Sequence, residues 1–107
     1  VSAWAVFSRH TAKVRGALLV APGDVALPSM QEALPGWLPI ERRPLPFRSI
    51  LVGSDNDPYC SAERAQQLAR DWSARWVGLG AAGHINADSS LGDWPGGHAL
   101  LQTLLKD

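Results

Sequence analysis

Asp57 and His84 are the residues whose types and placement invite chemistry, because each follows a short apolar run that ends abruptly. Ile50-Leu51-Val52-Gly53 stops at Ser54-Asp55-Asn56-Asp57-Pro58, and Arg75 to Leu79 stops at Gly80-Ala81-Ala82-Gly83-His84. A histidine serves as general base only when its proton sits on the correct ring nitrogen. A buried carboxylate bonded to the other nitrogen enforces that tautomer and stabilises the imidazolium as it forms. The plainer alternative is that Asp57 caps the helix after it and His84 occupies a glycine-flanked turn. Asp55 competes with Asp57 for the acid role, and spacing leaves that choice open.

The elements around the pair must bring it together. From about Ser61 to Ala74 the pattern is helical: Ser61 suits an N-cap, and Glu63 places a negative charge in the first turn. Ala65, Leu68, Ala69 and Trp72 make an i, i+3, i+4, i+7 stripe, leaving Arg64, Gln67 and Arg70 for solvent. Two strands joined by such a helix lie parallel with a right-handed crossover. Their carboxyl ends then share one rim of the sheet, where open α/β folds place their ligands. The expectation is an acid–imidazole pair on that rim.

The remaining chain fits an α/β class. Val1 to His10 has the spacing of a helix with a broad apolar face. Thr11 to Lys13 connects it to Gly16-Ala17-Leu18-Leu19-Val20-Ala21, a run suited to a strand covered on both faces. Pro22-Gly23-Asp24 turns the chain. Between Val25 and Arg48, five prolines break any long helix, with a turn or two expected over Ser29 to Leu34. Trp37, Leu38, Ile40, Leu45 and Phe47 are too apolar for a free linker. The segment reads equally as an ordered excursion over the mouth of the sheet and as cover for a sheet face or edge. After a polar loop from Ile85 to Gly92, Asp93-Trp94-Pro95-Gly96-Gly97 leads into a last helix with Leu100, Leu101, Leu104 and Leu105 on one face.

Bulk properties narrow the partners. The 107 residues carry ten basic and ten acidic side chains, net charge zero, with no basic run. That lacks the electrostatic footprint of nucleic-acid binding. No apolar run approaches twenty residues, so no membrane-spanning helix is expected. The single cysteine, Cys60, excludes an internal disulfide and a cysteine-based zinc site. It permits a reducing compartment, and a cytoplasmic location is the expectation.

Other candidates are weaker chemically. Cys60 stands close to Asp57 and offers a thiol nucleophile, against a packing role for a lone cysteine entering a helix. Ser54 lies at a strand end, and Ser2 on the first helix. Asp55-Asn56-Asp57 matches the short D-x-D opening of haloacid-dehalogenase-type phosphatases. The later lysine of that chemistry is lacking, because the only lysines are Lys13 and Lys106. His84, Asp88 and Asp93 have no strong metal-ligand spacing. Trp94 either walls a pocket or anchors the last helix. His10 and His98 read as exposed helix histidines. Tyr59 and Asn86 flank the pair, where they orient it or serve the turns.

Leu51-Val52-Gly53-Ser54-Asp55-Asn56-Asp57-Pro58-Tyr59, Gly80-Ala81-Ala82-Gly83-His84-Ile85-Asn86 and Gly92-Asp93-Trp94-Pro95 together resemble the YdeN/retinoblastoma-binding-protein-9 family of small α/β-hydrolases. Gly16 to Pro22 is similar to the strand that follows the family's nucleophile helix, and the likeness runs from Val1 to the last helix. The resemblance implies a mostly parallel sheet flanked by helices, with the triad acid at Asp57 and the triad base at His84. It implies hydrolysis of a small ester or related acyl compound, with no cofactor and no metal. In this fold the order is serine, acid, histidine, with the serine in a G-x-S-x-G elbow. No such elbow occurs in these residues. The chain is therefore expected to be one domain, 1–107, truncated at its amino end: the carboxyl-terminal part of an α/β-hydrolase fold. The elbow would lie upstream of Val1, and substrate choice would rest on Val25–Arg48 and upstream loops. The rival expectation is a non-catalytic protein-binding domain with an idle Asp57–His84 pair. A sheet edge left exposed by truncation would bind a partner segment or self-associate.

Overall fold

The computed structural model describes residues 13–24, 26–28, 32, 42–85, 89, 91, 92 and 94–105. The helix expected over Val1 to His10, the turns from Ser29 to Leu34 and most of the proline-rich segment lie outside them. Three strands form one sheet in the order β1 (Gly16–Val20), β2 (Arg48–Gly53), β3 (Arg75–Gly78), with both pairings parallel. Helix α1 (Ala62–Asp71) crosses from β2 to β3, and α2 (Pro95–Leu105) closes the described chain. Leu18 pairs with Ile50, and Leu51 with Trp76, so all three strands run toward the same rim.

β2 is the central strand, and its alternation divides the core. Leu51 points toward α1 and is enclosed by Leu45, Cys60, Ala65, Leu68, Ala69 and Trp72. Ile50 and Val52 point the other way, against Leu104 of α2. Successive strand side chains face opposite sides, so a strand buried on both faces reads as one apolar run. The run at Gly16–Val20 was expected to be covered in that way, but it is only half-buried along its length. It holds an outer position in the three-stranded sheet, and full burial falls to β2 instead.

Helix α1 follows its capping signals. The Ser61 side chain accepts from the Arg64 amide at 3.1 Å. The expected stripe of Ala65, Leu68, Ala69 and Trp72 is buried throughout. The helix stops at Asp71 rather than Ala74, because Ser73 enters the left-handed region at φ 55°. The Ser73 amide then donates to the Arg70 carbonyl, and the Ala74 amide to that of Ala69. This 5→2 and 6→1 pair ends a helix in the Schellman manner.

Two further expectations need correction. α2 takes in Pro95, Gly96 and Gly97 instead of starting after them. Proline is suited to the first helical position, where its missing amide would have no partner. Leu100, Leu101, Leu104 and Leu105 are not all packed inward: Leu104 is buried, while Leu101 and Leu105 are exposed. At about 100° per residue the four span an arc of about 140°, and only its Leu100–Leu104 side is turned to the sheet. Of the two readings of the proline-rich segment, Leu45 and Phe47 fit cover for a sheet face. Leu45 and Phe47 pack under α1, and the Leu45 amide donates to the Trp72 carbonyl at 3.0 Å.

Candidate functional site

Two turns meet at the carboxyl ends of β2 and β3. The first begins at Gly53, where the Trp76 indole lies so close that a Cβ would sit 2.6 Å from it. Glycine lets the ring approach that closely; any larger residue would have to displace it. The chain then bends through Ser54 to Pro58, and the Asp57 carboxylate turns inward. Its Oδ1 accepts from the Tyr59 amide at 2.8 Å, the local bond that aspartate readily makes two residues on. Its Oδ2 lies 2.9 Å from His84 Nδ1. The Asp57 side chain is 2% exposed and that of His84 32%.

A buried carboxylate is tolerated when its oxygens are satisfied, as these are. With Asp57 ionised, the shared proton belongs on Nδ1, because a carboxylate can only accept. In the neutral imidazole Nε2 then keeps its lone pair. The Tyr59 ring meets the imidazole edge-on, with centroids 4.7 Å apart. A cavity of about 450 Å³ opens beside the pair, bordered by Asn56, Tyr59, Gly83, His84 and Ser89 among others.

The second turn is held to the first at several points. The Leu79 amide donates to the Gly53 carbonyl at 2.9 Å, and the Asp55 amide to that of Gly80 at 2.7 Å. Asn56 Oδ1 accepts from the Gly83 amide at 2.7 Å. The buried Ser54 hydroxyl donates to the Gly83 carbonyl. Ser89 Oγ donates to the Ala82 carbonyl at 2.6 Å.

Of the two aspartates that spacing leaves open, Asp57 carries the bond to the imidazole, while Asp55 is exposed. Ser54 is committed to Gly83 and lies 2% exposed, unlike an open nucleophile. Burial pushes the Cys60 thiol up to about 11, with the Asp24 and Asp57 carboxylates adding to it and Arg64 opposing. A thiol held protonated in this way is a poor nucleophile. Trp94 packs against the cluster of Ile50, Val52 and Leu104, and is not among the residues that border this cavity. Asn86, Asp88, Asp93, Ser2 and His10 lie outside the described residues. Among the described residues, no three histidine, cysteine or acidic side chains are grouped to hold a metal ion. No described helix is long and apolar enough to cross a membrane.

Sequence reasoning missed a brace beneath the acid turn. Asp24, expected only to end a turn, is 6% exposed and lies 3.5 Å from Arg64 Nε. Its amide donates to the Tyr59 carbonyl at 2.7 Å. Arg64, expected to face solvent, therefore bends back toward the end of β1. Asn56 and Ser54 were missed too, as ties between the turns. The available signal was four short polar residues in succession at a strand end, more than a simple turn requires.

The chain matches the family model described as Serine hydrolase over residues 1–103. It is also similar to a crystal structure described as a YdeN-like hydrolase from Pectobacterium atrosepticum, at 31% identity and a TM-score of 0.76. That match covers 95% of this chain and 52% of the other, so this chain spans about half its length. No curated protein matches the chain.

Proposed function

The chain belongs to the serine hydrolase family, and from that premise we propose that it supplies the acid and base of a Ser-Asp-His triad acting on small esters or related acyl compounds. The observation that carries this reading is the 2.9 Å contact between His84 Nδ1 and a carboxylate that is almost wholly buried. Asp57 fixes the proton on Nδ1, and Nε2 accepts the proton of a serine hydroxyl as that oxygen attacks the acyl carbonyl. The imidazolium, stabilised by Asp57, returns the proton to the departing alcohol. Water then repeats the sequence on the acyl-enzyme and releases the acid. The serine belongs, in this reading, to a G-x-S-x-G elbow preceding Val1. Support comes from the absence of that pattern in the 107 residues and from the half-length match. The chemistry calls for no metal or cofactor.

The test is ester hydrolysis by the protein extended through its preceding coding sequence. His84→Ala is expected to abolish turnover of a short-chain p-nitrophenyl ester while leaving the circular dichroism spectrum unchanged. Retained turnover would remove the histidine from the mechanism.

A second reading has one observation in its favour: among the described residues, β1 pairs with β2 alone. A strand with a free edge invites another strand. In this reading a partner segment or second copy covers β1, and the Asp57–His84 pair is idle. Inactivity of the extended protein, together with a stable dimer by light scattering, would favour it.

A further inference from the structure

His84 stands between two residues in the left-handed region, Gly83 at φ 64° and Ile85 at φ 53°. Glycine suits that conformation; a β-branched residue is a true outlier there. Crowding is not the reason for Gly83, since a Cβ would meet only Ser89 Oγ, at 3.7 Å. A backbone in such a conformation persists only where its surroundings over-determine it. On one side, Ile85 is packed against the cluster of Ile50, Val52 and Leu104. On the other, both polar groups of Gly83 are taken by side chains of the acid turn. Asn56 Oδ1 takes the amide, and the Ser54 hydroxyl takes the carbonyl. The amide donor also fixes which end of the Asn56 carboxamide is oxygen, since only oxygen accepts.

We infer that Ser54 and Asn56 are positioning residues: they clamp Gly83 by its carbonyl and its amide, in the two peptides that flank its Cα, and so aim the His84 imidazole at Asp57 and at the cavity. The inference rests on the proposed role of the pair and extends it to residues whose side chains hydrogen-bond to Gly83 instead of to the imidazole or its carboxylate partner. The clamp belongs to the same turn as Asp57. The acid and the device that aims the base therefore move as one body. Misplacing a catalytic group by about 1 Å can cost a hundred-fold in rate. Loosening the clamp therefore acts on the rate of the chemical step more than on substrate binding.

Asn56→Ala and Ser54→Ala in the extended protein test this, with Asn56→Asp as the conservative variant that keeps an oxygen for the Gly83 amide. Asn56 is exposed, so its substitutions threaten folding least. Each alanine variant is expected to lower kcat by about ten- to a hundred-fold with KM within about threefold, and Asn56→Asp to recover most of the loss above neutral pH. A second readout needs no turnover: the downfield proton resonance of an Nδ1–H bonded to a carboxylate. It is expected in the parent and in Asn56→Asp, and broadened or lost in Asn56→Ala. Unchanged kcat and an unchanged resonance in both alanine variants would overturn the clamp, even with His84→Ala inactive. An extended protein without esterase turnover, whose resonance still disappears on Asn56→Ala, would uphold the clamp and reject the reaction.

Discussion

At the carboxyl ends of the strands, two turns grip each other through backbone amides, a buried hydroxyl and a carboxamide, around a carboxylate 2% exposed. At the amino ends of β2 and β3, Arg48, Ser49, Ser73, Arg75 and Thr103 border a hollow of about 240 Å³. There Arg48 Nη2 reaches the Thr103 carbonyl at 3.4 Å across exposed surface, and Arg75 is exposed. Both ends have a depression and ionisable groups. What differs is desolvation with satisfaction: one end draws a carboxyl group almost wholly out of water and gives both its oxygens a partner, while the other keeps its arginines exposed. Low local dielectric strengthens the paired interactions and makes an unpaired one costly. The difference teaches that a depression with charges beside it does not by itself make a reactive site.

The sharpest way to break that contrast is Asp57→Asn, which keeps the shape of the acid turn and alters the imidazole tautomer. Turnover of the extended protein is expected to fall about ten-thousand-fold, as with triad acids generally, read by steady-state ester hydrolysis. Next, Leu68→Ala removes a fully buried side chain beneath the rim and should cost about 2–5 kcal/mol in urea unfolding.

Cys60 gives a pH-dependent test of the buried end. Its folded-state pKa is raised from 9.0 to about 11. The folded protein therefore holds that proton longer than the unfolded chain does. The stability this contributes is complete below about pH 9 and is lost as pH rises through about 11, on the order of 3 kcal/mol at most. Relative to Cys60→Ala, the parent's unfolding free energy should decline across that window; a flat difference would mean the thiol is not desolvated. The smallest effect belongs to the far end: Arg75→Ala should change stability by less than about 0.5 kcal/mol and leave turnover unchanged.

Much of this architecture is legible in the amino-acid sequence itself. The apolar run at β2 and the capped, striped helix α1 dictate parallel strands, and the parallel strands dictate a shared rim. Asp57 and His84 fall on that rim from order alone. The choice between Asp55 and Asp57 does not follow, because both sit in one short polar run and only the direction of each side chain separates them. The role of Asp24 is hidden for a related reason. Its partners, Arg64 and the Tyr59 carbonyl, come from distant parts of the chain, and no periodicity encodes such a contact. The end of α1 is misplaced by pattern because Ser73 adopts a left-handed conformation that glycine would have advertised. The coverage of β1 is misjudged because an apolar run reports what a strand can bury, not its place in the sheet.

The most direct measurement is covalent labelling of the extended protein with a fluorophosphonate, followed by intact mass and peptide mapping. The account predicts a single adduct on a serine preceding Val1 within G-x-S-x-G, formed rapidly in the parent and lost in His84→Ala. Labelling that is indifferent to His84, or a parent protein in which no serine reacts, would contradict it.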